Sequence, residues 1–181
     1  MHSSNLSIQE DIIMKLFLMR HAHTQQSTTN SDFERMLTEQ GHTQAMEAGN
    51  FLHTEHIDKM FVSYVKRTMQ TADLIQEKVI ISEIEVITEL YDGNQEDVLQ
   101  LLYNQEDRYK NILVIGHNPL IYNIALQLAN NESPEFEFLS HSSMPPARIV
   151  VIDFPSINSW KDLKNHKGNI IKIFTPSTLF I

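Results

Sequence analysis

Arg20-His21 closes the apolar run Leu16-Phe17-Leu18-Met19. A strand that ends in this dipeptide sets a guanidinium and an imidazole side by side at the edge of a sheet. The pair suits phosphoryl chemistry: an imidazole nitrogen can attack phosphorus, and a guanidinium can grip phosphoryl oxygens in a bidentate fork. Viewed alone, His21 would more often be a satisfied core histidine. Three later elements, in a fitting order, give the dipeptide its weight: Arg35-Met36-Leu37-Thr38, the segment Ser63 to Thr71 with Arg67 at its centre, and Gly116-His117-Asn118-Pro119.

For these residues to meet, the elements between them must return the chain repeatedly to one edge. Short β-type apolar runs alternate with longer helical patterns, which predicts an α/β domain. Strands are expected at Lys15–Arg20, Lys59–Ser63, Glu85–Ile87, Ile112–Gly116, Arg148–Phe154 and Ile170–Phe174. Thr38 can cap a helix running toward Leu52, with Ala45, Ala48 and Leu52 on one face. Further helices are expected over Lys66–Glu77 and Gln95–Gln105, and after Asn118 as N-cap with Pro119 at the first helical position. Gln25–Phe33, Asn130–Pro146 and Pro155–Asn169 read as loops.

On this reading His21 and His117 each come directly after a strand, Ser63 closes a third, and Arg67 lies in the first turn of the next helix. Ligands of open α/β sheets bind beyond the carboxyl ends of the strands. Two histidines and two arginines can therefore share one crevice, with the helix start at Asn118-Pro119 as a further anion site.

Bulk composition narrows the field. The chain has 181 residues, 41% of them hydrophobic and 20% charged, enough for one domain with a real core. Its net charge of −9 argues against a general nucleic-acid binder, so a phosphorylated substrate must be attracted by a few placed cations. The lack of cysteine excludes disulfides, a thiolate nucleophile and Cys-based metal sites. No stretch approaches the roughly 20 apolar residues that span a bilayer, and Met1 to Asp11 lacks the pattern of a signal peptide. A cytoplasmic protein without membrane or nucleic-acid partners is expected. Residues 1–13 read as a flexible extension ahead of a single domain over 14–181.

The motifs "LMRHAHT", "SYVKRTMQT" and "VIGHNP" resemble those of the histidine phosphatase superfamily, the phosphoglycerate mutase-like fold. Within it the resemblance is nearest to the small SixA-type phosphohistidine phosphatases. Their Asp-Phe-x-Arg-x-Leu-Thr-x-x-Gly segment stands here as Asp32 to Gly41, and "SWKDL" at Ser159 to Leu163 also looks like that group. Two departures are Ala22, where the wider superfamily commonly has Gly, and Tyr64, where it usually has Pro.

The resemblance implies a three-layer α/β/α domain with a mostly parallel sheet and no lid subdomain. It implies that His21 is the nucleophile and that Arg20, Arg67 and His117 bind the transferred phosphoryl group. Arg35 and Asn118 would touch substrate, and no metal or other cofactor is needed. Glu89 in "TELYDG" is the nearest candidate for a proton donor, with a surface or capping carboxylate as its plain alternative. An alkoxide needs such a donor to leave; imidazole, with a conjugate-acid pKa of about 6.5, needs much less help.

Three functions are compatible with this pattern. The first is a hydrolase of phosphohistidine on a protein, acting through phospho-His21. The second is a small-molecule phosphomonoesterase or mutase, and the third a silent phospho-binding module. The interval from Arg67 to His117 is already filled by a helix, a strand and a helix, leaving no room for the lid that encloses small metabolites. An open site favours a phosphorylated side chain on a macromolecule. A metal hydrolase built on His21-Ala22-His23 is disfavoured because Arg20 and Arg67 would repel the cation.

Overall fold

The computed structural model describes residues 13–26 and 31–177. Of the expected N-terminal extension only Ile13 falls inside that range; residues 1–12 lie outside the described residues. Six strands form one sheet in the order β3-β2-β4-β1-β5-β6. They are β1 Met14–Arg20, β2 His56–Ser63, β3 Ile80–Ile87, β4 Asn111–Gly116, β5 Ile149–Phe154 and β6 Asn169–Phe174. The first four run parallel, and β5 is antiparallel to both β1 and β6.

Alternation along β1 explains the three layers, because successive side chains point to opposite faces. Phe17 and Met19 join Met60 and Val62 under α1 (Glu39–Leu52) and α2 (Lys66–Gln76), which bring Ala45, Ala48 and Ile75. Leu16 and Leu18 face the other way, toward α4 (Gln95–Tyr103) and α5 (Leu120–Leu128), which bring Leu102 and Ile124. Both faces are covered, so the central strands read as unbroken apolar runs. Trp160 closes this second layer, its indole N–H donating to Tyr109 O at 2.6 Å. Among the described residues no helix is long and apolar enough to cross a membrane.

Thr38 caps α1 as expected, Oγ1 accepting from Gly41 N at 3.1 Å. Gly41 allows a close approach here, since a Cβ at this position would lie 2.0 Å from His23 O. The chain just beyond His21 therefore packs directly on the first turn of α1.

Several expectations change: β2 begins at His56 rather than Lys59, and the expected loop Pro155–Asn169 contains a 3₁₀ turn over Trp160–Lys164. β3 begins at Ile80 rather than Glu85; as the edge strand it leaves Ile80, Ile84 and Val86 exposed, and its charged alternation hides the pattern. A short helix, α3 (Glu89–Asp92), precedes α4. The expected loop Asn130–Pro146 contains α6 (Pro134–Ser140), capped by Ser133 Oγ accepting from Phe136 N at 3.1 Å. Asn118 is not the N-cap of α5. Its Nδ2 donates instead to Met144 O at 2.8 Å, and α5 begins at Leu120 behind Pro119.

Candidate active site

The carboxyl ends of β1, β2 and β4 meet at one edge of the sheet. Arg20 stands opposite Gly116 in the parallel ladder, and His21 N continues the pairing by donating to Gly116 O at 3.0 Å. On the other side Ala147 N–H reaches the carbonyls of both Arg20 and His21 at 3.1 Å. Ala147 holds a left-handed φ of 59° to do so, a conformation that costs a non-glycine residue about 1 kcal/mol or more. Beyond His21, Ala22 N donates to Thr71 Oγ1 at 3.2 Å, tying the strand end to α2.

His21 is 7% exposed. Its Nδ1 lies 2.7 Å from Ala22 O, and a carbonyl can only accept, so Nδ1 carries the proton and Nε2 the lone pair. Burial holds the ring well below the usual histidine pKa, reinforced by His117, Arg67 and Arg20 against the opposing pull of the Ala22 bond. The ring is thus a neutral imidazole with a bare Nε2, the form a nucleophile requires.

His117 lies beside it, the two ring centroids 5.1 Å apart. Ser63, fully buried at the end of β2, lies 2.9 Å from His117 Nε2. His117 Nδ1 faces Arg67 Nη2 at 3.4 Å. Burial and the Arg67 charge push its pKa down to about 3.

Arg67 rises from the first turn of α2 with its side chain only 5% exposed. Nη1 donates to Asp32 O at 2.7 Å and Nη2 to Asp32 Oδ2 at 2.9 Å. Arg35 donates from Nη1 to Asp32 Oδ1 at 2.9 Å, from Nε to Gln25 O at 2.9 Å and from Nη2 to Thr24 Oγ1 at 2.5 Å. Arg20 gives Nη1 to Met144 O at 2.9 Å. The Nε–H groups of Arg20 and Arg67 are buried without a partner. Buried donors are nearly always satisfied, so these two mark a place where an anion would supply the missing acceptors.

A cavity of about 360 Å³ brings together Arg20, His21, Arg35, Arg67, His117 and Asn118. His23 sits at its rim with Nδ1 2.8 Å from Thr38 Oγ1. A second cavity of about 400 Å³ adjoins it across Arg67, His117 and Asn118, walled by Leu90, Tyr91 and Leu120. Glu89 lines neither. It is exposed at the start of α3, its Oε2 accepting from Thr88 Oγ1 at 3.2 Å.

The carboxylate that faces the arginines is Asp32, to which sequence reasoning assigns no role. Tyr91 donates its hydroxyl to Asp32 Oδ2 at 2.6 Å. The Tyr91 bond, then Arg35 and Arg67, hold the Asp32 carboxyl well below the usual carboxylate range. The one signal for Asp32 in the sequence is its place inside the motif Asp32 to Gly41.

Residues 16–100 match the family model of the histidine phosphatase superfamily (branch 1). No curated protein matches the sequence. The SixA structure from Nakamurella multipartitia superposes with a TM-score of 0.78 at 24% identity, covering 91% of this chain and 97% of that one. A protein histidine phosphatase SixA complexed with tungstate gives 0.74 at 23% identity, over 92% and 99%. An α-ribazole-5′-P phosphatase from Escherichia coli K-12 gives 0.59 at 20% identity, over 79% and 92%. Fold and family match define a phosphatase of the α/β class. Residues 16–100 thus match the model of the histidine phosphatase superfamily, branch 1, and the whole chain has the fold of the small SixA structures.

Proposed function

We propose that the protein hydrolyses the phosphorus–nitrogen bond of phosphohistidine on a partner protein, through a phospho-His21 intermediate. One observation carries the choice of substrate. Among the described residues the only carboxylate joined to the cavity arginines is Asp32, already committed to Arg35, Arg67 and Tyr91, while Glu89 lies outside. An alkoxide has no carboxylic acid to protonate it. An imidazole protonated at its distal ring nitrogen leaves as a neutral molecule and needs none.

In the first step His21 Nε2 uses its lone pair to form a bond to phosphorus as the substrate's phosphorus–nitrogen bond breaks. Arg20, Arg67 and His117 surround the phosphoryl oxygens, and the unpartnered Nε–H groups of the two arginines gain acceptors. Arg35 and Asn118 border the same cavity and contact the entering substrate. In the second step water attacks phosphorus from the face the leaving group has vacated. His21 departs as a neutral imidazole because Nδ1 has kept its proton, held toward Ala22 O, throughout. Both water protons pass to the released phosphate. Enzyme intermediate and substrate are the same functional group, so one cavity serves both steps.

A small phosphate ester is the second reading, favoured by the adjoining cavity of about 400 Å³, which could hold a compact leaving group. A panel of phosphohistidine peptide, phosphoserine peptide and phosphoglycerate, assayed with EDTA and without added metal, separates the two. The proposal expects rapid turnover of the first and little of the others. Preference for phosphoglycerate, or complete loss with EDTA, overturns it.

A further inference from the structure

We propose that Asp32 and Tyr91 act as a positioning pair that fixes which edge of the Arg67 guanidinium faces the phosphoryl group. The inference rests on phosphoryl transfer at His21 and adds two residues to which that chemistry gave no role.

A guanidinium offers five N–H donors along three edges. Asp32 takes the end edge of Arg67, its backbone oxygen accepting from Nη1 and its Oδ2 from Nη2. What remains is the side edge formed by Nε–H and the second Nη2–H. Nε is the buried atom without a partner, and Nη2 makes only a long contact of 3.4 Å to His117 Nδ1, one that an arriving phosphoryl oxygen can replace. That remaining edge is still a two-pronged fork, the arrangement that binds two oxygens of one phosphoryl group at once. Clamp and substrate therefore use different edges and can be bound together.

Three contacts keep Asp32 in place. Its 3₁₀ turn, Asp32–Glu34, is anchored to the start of α2 by the ion pair of Glu34 with Lys66. Phe33 stacks on Tyr64, centroids 5.9 Å apart, and packs on Tyr91 at 5.2 Å. Tyr91 then does two things from one position. Its hydroxyl bonds Asp32 Oδ2, while its ring meets Arg67 Cζ at 5.7 Å and the edge of His117 at 5.2 Å. The same carboxylate also bonds Arg35, so one anion holds two like-charged guanidinium groups beside a single cavity.

Asp32→Asn keeps the shape but replaces one accepting oxygen with an NH₂ that meets only donors. Arg67 then loses the side-chain half of its end clamp, keeping its bond to the Asp32 backbone oxygen and its charge. Positioning partners of this kind typically cost about 10–100-fold when removed, below the roughly 10²–10³ for deleting a transition-state donor. The expected result with p-nitrophenyl phosphate is a kcat lower by about 10–100-fold, with KM within about threefold. Vanadate, which adopts the five-coordinate geometry of the transition state, should lose affinity by a similar factor. Inorganic phosphate should lose little.

Tyr91→Phe retains the ring contacts and should give a smaller change in the same direction. In the Asp32→Asn background it should add less than about twofold, because the hydroxyl acts through the carboxylate. It also serves as the test variant if Asp32→Asn does not fold. Unchanged kcat in folded Asp32→Asn, equal losses of vanadate and phosphate affinity, or fully additive effects of the two substitutions overturn the inference. A wild type that binds vanadate but turns over no substrate refutes the functional reading instead, and the vanadate-to-phosphate ratio still decides this one.

Discussion

Two charge clusters in this protein use the same residue types to opposite ends. Around Lys59 on β2 the charges close on themselves. Lys59 Nζ bonds Glu83 at 3.3 Å and Glu85 at 2.8 Å, Glu83 bonds Arg108 at 3.0 Å, and Arg108 bonds Glu106 at 2.9 Å. Tyr109 completes the set by donating to Glu83 at 2.7 Å. Carboxylates outnumber cations there, and no atom of the cluster is buried without a partner. At the end of β1 the balance is reversed. Arg35 and Arg67 share the one carboxylate Asp32, Arg20 bonds only the Met144 carbonyl, and the Nε–H groups of Arg20 and Arg67 stay buried and unsatisfied. A closed network stabilises a surface; an open one is shaped to receive a charge from outside. In a chain of net charge −9 this local excess of cations is what, on the proposed function, would attract a phosphoryl group.

The largest break in the open cluster should come from Arg67→Ala. Removing its fork costs transition-state binding, so kcat should fall by roughly 10²–10³. Lys at this position should recover only part of that, lacking the planar fork. Steady-state kinetics showing weaker affinity at unchanged kcat would remove Arg67 from the transition state.

Acid should weaken the fold through the same cluster. His21 and His117 are held neutral, the latter down to about 3, whereas an unfolded histidine titrates near 6.5. Below about pH 6.5 the unfolded chain binds a proton at each that the folded one does not. Stability should therefore be insensitive to these groups above that pH and fall beneath it, by about 1.4 kcal/mol per pH unit for each. Asp32, whose folded pKa is also depressed, adds its own loss only below the usual carboxylate range. Urea midpoints from pH 7.5 to 5.0 measure the slope. His117→Gln should reduce it, and an unchanged slope contradicts the neutral assignment.

Smaller effects belong to the closed cluster and to Glu89. Lys59→Ala should leave kcat/KM unaltered and lower stability by no more than about 1 kcal/mol, because Glu83 and Glu85 stay hydrated. Glu89→Gln should change phosphohistidine turnover by less than about twofold, the carboxylate being exposed and outside the cavity. A large loss in either variant would erase the contrast between the two regions.

The strand ends that present Arg20, His21, Ser63 and His117 were legible in the sequence because central strands buried on both faces leave apolar runs with abrupt polar ends. Asp32 and Tyr91 were not legible. Their bonds cross 35 residues to Arg67 and 59 to each other, and neither neighbourhood carries a periodic pattern. The first half of β3 was hidden by edge exposure, which mixes isoleucines with acidic residues. For α6 the signal was present in Ser133-Pro134-Glu135, a cap followed by proline at the first position, but the apolar face of Pro134–Ser140 is too short to stand out.

The central claim is a covalent phosphoryl group on His21. Rapid chemical quenching of the wild type during turnover of phosphohistidine peptide, with peptide mapping of the product, tests it directly. The expected product is an acid-labile, base-stable adduct on His21, absent from a folded His21→Ala variant that no longer turns over. An adduct on any other residue, or full turnover by His21→Ala, would contradict the account.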